Sequence, residues 1–330
     1  MTMQIPGHVD AVLTNIAVGF SQMPGFIADK VMPVIKVKKE ADLYYLYGRE
    51  KFKRIETKRQ RGSVANDYVL GHTTAQYLAE EDALQGYIDD RDYANFDSPL
   101  DPEADLVEDV TENLQLGYEI EVATLLRATG TYPDATHYNN PTAQFDTGGS
   151  SITMQEDFMT LQNVVRRKIA KWANTIIIPP TVAHYMSIDD EIRDVVQYTV
   201  SAQGVGNNEF FTRGPEDSWL LPKVLWGMRV LVPTALEDTS KETQTSNPTE
   251  TITQSLEDVW GDDIWIGYVQ PTPGIKKVSF GYTFVARDWE TKRWRAEARE
   301  SNAFRVSRIL DRKVVCSAAG ALLQNVLSGE

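Results

Sequence analysis

Side chains that could do chemistry are spread along the chain, and their spacing fits no catalytic or metal-binding pattern. The four histidines are His8, His72, His137 and His184, and none has the ligand spacing of a zinc-binding helix such as HExxH. The GxSxG sequence of a serine nucleophile and the GxxxxGKS/T sequence of a phosphate-binding loop are both missing. The sequence therefore predicts no catalytic residue, no cofactor and no metal ion.

Cysteine chemistry is equally limited, because Cys316 is the one cysteine of the chain. A single thiol excludes an intramolecular disulfide and a cysteine-rich zinc site, and it indicates assembly in a reducing compartment. The surrounding VVCSAAGALL run predicts a buried, small hydrophobic side chain at this position.

Carboxylates occur in two close groups that could bind a hard cation, although solvated turns explain them better. Neither group follows the spacing of a calcium-binding loop. With 47 acidic residues, a pair of opposed carboxylates of the glycosidase type stays an open alternative, but nothing in the sequence points to one. The two groups are Asp89, Asp90 and Asp92, and Asp258, Asp262 and Asp263.

Charge is distributed unevenly in a chain whose net charge is −14. Residues 36–61 hold ten Lys or Arg and four Asp or Glu, whereas residues 80–121 hold fifteen acids and a single base, Arg91. The overall acidity argues against a protein that coats nucleic acid. The two blocks predict complementary surfaces that meet within one molecule or between copies. Two unrelated solvated faces are the open alternative.

Residues 101–130 predict the longest helix, about 40 Å at 1.5 Å per residue. Asp101 is the expected cap, Pro102 the first helical residue and Gly130 the expected end. The apolar stripe consists of Val107, Val110, Leu114, Tyr118, Val122 and Leu125. The opposite, acidic face consists of Asp105, Glu108, Asp109, Glu112 and Glu119.

Before this helix, residues 34–47 and 68–78 predict two strands of a long hairpin. Aromatic and β-branched residues fill the strands, whereas residues 48–62 are highly charged and offer little to bury. A two-stranded ribbon without a hydrophobic face is unstable alone. The hairpin is therefore expected to need another surface, in another subunit.

The remaining patterns predict a mixed α+β protein, preceded by an extended arm with a short helix at residues 8–20. Capping-box sequences predict helices over residues 153–171 and 188–197. Residues 237–255 are polar and predict an exposed loop, and no apolar run reaches the 18 residues of a membrane span. Strands are predicted at residues 176–178, 227–232, 263–269, 278–286 and 304–310.

The order of these parts resembles that of the major capsid proteins of tailed bacteriophages, whose fold is named after the Hong Kong 97 phage. The resemblance spans nearly the whole chain, and its specificity lies in the order and spacing of short motifs. These are FIADKVMPVIKV at residues 26–37, YYLY at 44–47, DSPLDP at 97–102, Glu119 late in the long helix, ANTIII at 173–178, GYTF at 281–284 and AGALL at 319–323.

This resemblance implies an α+β fold with four parts. An N-terminal arm would cover residues 1–36, and an extended β-hairpin loop would cover residues 37–75. A peripheral domain would combine residues 76–170 and 278–312 and contain the spine helix, residues 102–129. An axial domain would combine residues 171–277 and 313–330 and gather around five-fold and six-fold axes.

The same resemblance implies a structural subunit that is not an enzyme. Hexamers and pentamers of the chain would form an icosahedral shell around double-stranded DNA that is bound without sequence specificity. A separate scaffolding protein, a portal protein and, optionally, a decoration protein would be its partners. The chain would belong to the virion, assemble in the cytoplasm of the host bacterium and contact no membrane. No covalent cross-link between subunits is predicted.

The contact expected between subunits places the basic hairpin of one copy across the acidic helix face of its neighbour. An encapsulin-like shell with protein cargo, a β-rich carbohydrate-active enzyme and a tail or decoration protein are the competing interpretations. The contact candidates are Tyr44, Tyr45, Tyr47, Lys51, Phe52, Lys53, Arg54, Lys58, Arg59, Asp105, Glu108, Asp109 and Glu112.

Overall fold

The computed structural model of the protein describes residues 25–47, 52–68, 71–95, 102–147, 153–192, 221–239, 256–274 and 277–328. In this part of the chain, no helix combines the length and the apolar character needed to cross a membrane. The expected arm helix at residues 8–20 and the cap Asp101 lie outside the described residues.

Helices and strands alternate irregularly along the chain. In chain order they are α1 (Ala28–Val31), β1 (Val34–Lys36), β2 (Ala41–Tyr47), β3 (His72–Leu78), β4 (Glu80–Asp89), α2 (Asp90–Asn95), α3 (Pro102–Arg127), β5 (Tyr138–Asn139), α4 (Met154–Ile169), β6 (Thr175–Ile177), α5 (Pro180–Ile188), β7 (Val224–Leu225), β8 (Met228–Leu231), β9 (Leu236–Asp238), β10 (Leu256–Asp258), β11 (Ile264–Gly267), β12 (Gly281–Ala296), β13 (Ser301–Val314) and β14 (Gly320–Leu323).

A four-stranded sheet carries the long helix α3. Its strand order is β1-β12-β13-β4, with β1 parallel to β12 and the other neighbours antiparallel. Helix α3 packs across β4 and β13. The helix approaches the sheet closely at Gly86, where a Cβ atom would lie 2.7 Å from Cδ1 of Leu106. Glycine at this position therefore lets the helix lie directly on the sheet.

A six-stranded sheet forms the other layer, in the order β5-β14-β11-β6-β8-β7. Its central strands are buried along their whole length, as expected for strands covered on both faces. Helix α4 packs against β11 and β14. Its buried side chains include Phe158, Leu161, Val165 and Ile169, which recur at the helical period.

One hydrophobic core joins the two sheets. The short helix α1 contributes Val31 and Met32 to this core, and Trp265 of β11 contacts Phe280 edge-on with ring centroids 5.2 Å apart. The hydroxyl of Tyr118 lies 2.6 Å from that of Thr283, linking α3 to β12. Helix α1 thus lies at the junction between the spine helix and both sheets.

Several predictions are confirmed. The spine helix, expected over residues 102–129, spans Pro102–Arg127, and a short 3-10 turn over Thr129–Thr131 follows it. The hairpin is present as the antiparallel pair β2–β3, in which Tyr47 faces His72. Its first strand is shorter than predicted, because residues 34–36 form the separate strand β1 and pair with β12. The helix at residues 153–171 exists as α4, although no side-chain hydrogen bond from Thr153 caps it.

The helix predicted over residues 188–197 begins at Asp190, directly after α5 has ended at Ile188, and its part beyond residue 192 lies outside the described residues. Two other predictions are wrong. Strand β4 was not predicted, since its sequence EEDALQGYID lacks an alternating pattern, and ten pairings with β13 hold it in place. Cys316 is half-buried, not fully buried.

Candidate inter-subunit surfaces

The tip of the hairpin has no core of its own. Every residue from 52 to 68 is exposed, including Phe52 at 65% and Val64 at 90% of their surface. Local hydrogen bonds shape this segment: the side-chain amide of Asn66 donates to the carbonyl of Glu56 at 2.8 Å, and the amide of Lys58 donates to the Glu56 carboxylate at 3.1 Å. A loop held only by such bonds has its apolar side chains available for another surface.

The cations of the tip remain unpaired within the described residues. Lys53, Arg54, Lys58 and Arg61 form no ion pair with any of them, and Arg59 donates to the carbonyl of Ser63. Lys51, a further candidate, lies outside the described residues. The tip therefore presents positive charge that its own described acids do not neutralise.

The root of the hairpin, by contrast, is attached to its own subunit. The ring of Phe284 on β12 stacks on Tyr77 with centroids 4.6 Å apart and on Tyr44 with centroids 5.5 Å apart. Tyr44 is half-buried in this stack, whereas Tyr45 and Tyr47 are 64% and 41% exposed. The structure thus places Tyr44 as an anchor of the hairpin and leaves Tyr45 and Tyr47 accessible.

The exposed acids of α3 that form no ion pair within the described residues lie in its first half. Asp105, Glu108 and Asp109 are exposed and form no ion pair with any described cation. Glu103, one turn earlier, is paired with Arg293 of β12 at 2.7 Å, and Glu112 is half-buried. The unpaired acidic surface of the described helix is therefore the segment from residue 105 to residue 109.

The prediction that Glu119 lies on the exposed acidic face is wrong. Glu119 is fully buried, and its carboxylate accepts hydrogen bonds from the backbone amides of Ile27 at 3.1 Å and Ala28 at 2.8 Å, and from the Trp260 indole at 2.8 Å. It caps the N-terminus of α1, where the helix dipole favours a negative charge. Burial raises the pKa of this carboxyl, while the hydrogen bonds to Ile27, Ala28 and Trp260 oppose the rise.

A sequence signal for the position of Glu119 did exist. Glu119 stands four residues before Ala123 and seven before Leu126, both buried, so the helical period places it on their face. The prediction placed Glu119 on the exposed face because its side chain is charged, although the helical period places it with buried residues. A buried carboxylate is expected only where several donors meet it, and those donors come from positions far away in the sequence.

The basic strands β12 and β13 use several of their charges within the subunit. Arg312 binds the carboxylates of Glu121 on α3 and Asp82 on β4, the latter at 2.7 Å. Burial raises the pKa of the Glu121 carboxyl, and the charge of Arg312 opposes that rise. Arg295 pairs with Asp90. These pairs tie the spine helix and β4 to the central strands.

Two of the carboxylates considered for metal binding, Asp90 and Asp263, form ion pairs with arginines. Asp263 pairs with Arg127 at 3.1 Å, and burial together with the charge of Asp262 raises the pKa of Asp258. In the described ranges, no set of three or more His, Cys, Asp or Glu side chains could hold a metal ion. His137 is buried, with Nδ1 2.7 Å from the carbonyl oxygen of Gly320.

Comparison with known proteins gives one clear sequence relative. The chain is 27% identical over 287 residues to the major capsid protein of Burkholderia phage BcepMu, covering 83% of this chain and 82% of the relative. No family model matches the chain.

Solved structures match nearly the full length. A phage-related protein from Bordetella bronchiseptica RB50 superposes with a TM-score of 0.63 at 22% identity, covering 96% of this chain and 97% of that protein. The capsid protein of cyanophage P-SCSP1u gives 0.61 at 11% identity, covering 96% and 92%, and the capsid of a native GTA particle gives 0.58 at 13%, covering 97% and 95%. The chain therefore has the α+β capsid fold named after the Hong Kong 97 phage, and its predicted resemblance to a tailed-phage major capsid protein is confirmed.

Proposed function

We propose that this chain is the major capsid protein of a tailed bacteriophage and builds an icosahedral shell from hexamers and pentamers. The full-length match to capsid structures and the relation to a phage major capsid protein support this role. The role is mechanical, so it requires no catalytic group. We include in this proposal the four parts predicted from the sequence: the arm, the extended loop, the peripheral domain and the axial domain.

The structural feature that best supports this proposal is the hairpin tip, which is exposed and has no hydrophobic core. Residues 52–68 combine unpaired cations with exposed apolar side chains, a surface that is costly for an isolated chain to maintain. In a shell, the tip lies across the acidic segment at residues 105–109 of a neighbouring copy. Tyr45, Tyr47 and Phe52 supply the buried part of this contact, because exposed ion pairs contribute at most about 1 kcal/mol each.

The acidic composition suits a container for DNA. A strongly basic lining would bind the phosphate backbone and slow packaging, whereas a net charge of −14 avoids such adhesion. The DNA is therefore enclosed without sequence-specific contacts. A scaffolding protein and a portal protein are the further partners of this role, with a decoration protein as an option, and assembly takes place in the bacterial cytoplasm before the virion is released.

Electron microscopy of purified material tests the role directly, with closed shells as the expected result. A soluble monomer with a carboxylate-lined cleft would instead support the carbohydrate-active alternative. Particles isolated from phage-producing cells should hold nuclease-resistant DNA, whereas protein cargo would point to an encapsulin-like compartment.

Charge reversal tests the hairpin contact. Lys53→Glu with Arg54→Glu should abolish closed shells while the purified chain keeps its unfolding temperature, because both side chains are exposed. Adding Asp105→Lys and Glu108→Lys should restore assembly. Lys277→Glu with Lys292→Glu changes the net charge by the same amount outside the hairpin and serves as the control. Shells of normal yield from the hairpin variant would show that the tip is not the contact.

A further inference from the structure

Helix α4 exposes a face whose charge changes sign from one end to the other. Glu156 in its first turn is exposed, and so are Arg166 and Arg167 in its last turn. Between them lie the exposed side chains of Met159 and Thr160. The helix has 16 residues, so its ends are about 24 Å apart at 1.5 Å per residue. Such a face is complementary to another copy of itself.

The acidic end of this face is concave. An open pocket of about 310 Å³ lies between Glu156, Met159, Asn163 and Glu191. Met159 is 46% exposed, which gives the pocket an apolar floor. Glu191 accepts a hydrogen bond from the amide of Gln155 at 3.2 Å, so its carboxylate is fixed at the start of the helix. The pocket therefore offers an apolar contact flanked by carboxylates.

The basic end carries an exposed aromatic side chain. Ala170 adopts a left-handed conformation with φ of 57°, which ends α4. Trp172 follows with 54% of its surface exposed, and the Arg166 guanidinium lies 4.9 Å from the centre of its ring. Arg167 forms no ion pair with a described residue, whereas the next cation, Lys168, is already bound to Asp134 at 2.7 Å. A large exposed aromatic side chain beside an arginine is a typical anchor of a protein interface.

The position of α4 in the fold bears on the symmetry of a contact between α4 helices of neighbouring copies. Phe158 packs on Trp226 beside β8. Helix α4 is the last element of the range 76–170 proposed for the peripheral domain, but it lies on the six-stranded sheet, in which every strand except β5 falls in the ranges proposed for the axial domain. Rings of five or six copies need a heterologous interface, in which two different surfaces of each copy meet. An antiparallel pair of α4 helices would instead be isologous and would close after two copies.

We propose that α4 forms the ring contact of the capsomer: the Trp172, Arg166 and Arg167 end of one copy enters the pocket at Glu156 and Met159 of the next. The proposal rests on the proposed capsid function and names the partner surface as a second copy of this chain. Each copy gives its basic end to one neighbour and receives the basic end of the other. The two ends thus specify both the direction of the ring and the choice of partner.

Charge exchange tests the pairing. Arg167→Glu and Glu156→Lys, made singly, should each lower the yield of closed shells about tenfold, since an attraction becomes a repulsion at every contact of the ring. The double variant should recover most of the yield. Lys277→Glu is the matched control on another exposed position. If one single variant proves unstable in a thermal melt, the other still tests the contact. Unchanged yields in both single variants would overturn it.

Disulfide trapping tests the symmetry. Thr160→Cys with Arg167→Cys is made in a Cys316→Ser parent, and assembled particles are oxidised and run on a non-reducing gel. A ladder ending at five and six copies supports the ring contact. Dimers alone would assign α4 to a two-fold pair and overturn the proposal, as would the absence of cross-links in particles that still close. If the unaltered chain itself forms no shells, the proposed capsid function fails, which separates that outcome from failure of this contact.

Discussion

The indole nitrogen of Trp260 donates a hydrogen bond to the carboxylate of Glu119 at 2.8 Å, although 141 positions separate the two residues. The same carboxylate accepts from the amides of Ile27 and Ala28 at the start of α1. Three segments that are far apart in the sequence therefore meet at one buried charge. The point where the N-terminal arm joins the body is fixed by this group.

Glu119→Gln should lower the free energy of unfolding by about 1–3 kcal/mol, because the amide leaves at least one buried donor without an acceptor. Chemical denaturation followed by tryptophan fluorescence measures the change. Glu108→Gln, the same substitution on the exposed face of the same helix, should stay within about 0.5 kcal/mol of the unaltered protein. Equal effects of the two substitutions would show that the buried charge contributes nothing specific.

The stability contributed by Glu119 should also depend on pH. Burial raises the pKa of its carboxyl above the ordinary value of 4.5, so the folded chain holds this proton more tightly than the unfolded chain. For a carboxyl with a raised pKa, the contribution to stability is greatest below the ordinary pKa and decreases as the pH rises through the raised one. The free-energy difference between the unaltered protein and Glu119→Gln should therefore narrow as the pH rises from 4.5. A widening difference would mean that the three hydrogen bonds outweigh burial.

The sequence predicts the elements whose signals are local. Helix α3 begins at Pro102 and ends within two residues of its expected end, because proline and the helical stripe act within a few turns. Local signals also predict the hairpin, namely the aromatic residues of its strands and the charged residues of its tip. The exposed tip follows from composition, since residues 48–62 are highly charged and offer little to bury.

The features that sequence reasoning missed depend on distant partners. Strand β4 is acidic and has no period of two, and it is a strand because β13 pairs with it. Glu119 is buried because Ile27, Ala28 and Trp260 converge on it. Tyr44 serves its own subunit because Phe284, 240 positions later, supplies a ring to stack on. Propensity and charge within a short window carry no information on such partners.

Phe284→Leu should loosen the root of the hairpin, because it removes the ring on which both Tyr44 and Tyr77 stack. Stacked aromatic pairs contribute about 0.5–1.5 kcal/mol each beyond their buried area, so the loss should be about 1–3 kcal/mol. Amide hydrogen exchange should accelerate in β2 and β3 and stay unchanged in the six-stranded sheet. Phe52→Leu, at an exposed position of the tip, should change neither region of the isolated chain. Uniform acceleration in both sheets would contradict a local role for the stack.

Gly86→Ala should push the spine helix away from its sheet, because the new Cβ atom would lie 2.7 Å from Cδ1 of Leu106. Overpacking of this kind costs about 1–3 kcal/mol. Combining it with Leu106→Ala should recover part of that loss, so a double-mutant cycle should give a clear coupling energy. Gly117→Ala on the same helix is the control: its Cβ would meet nothing within 4 Å, and alanine in a helix should add about 0.5–1 kcal/mol of stability. Additive effects of Gly86→Ala and Leu106→Ala would show that helix and sheet are not in contact at this point.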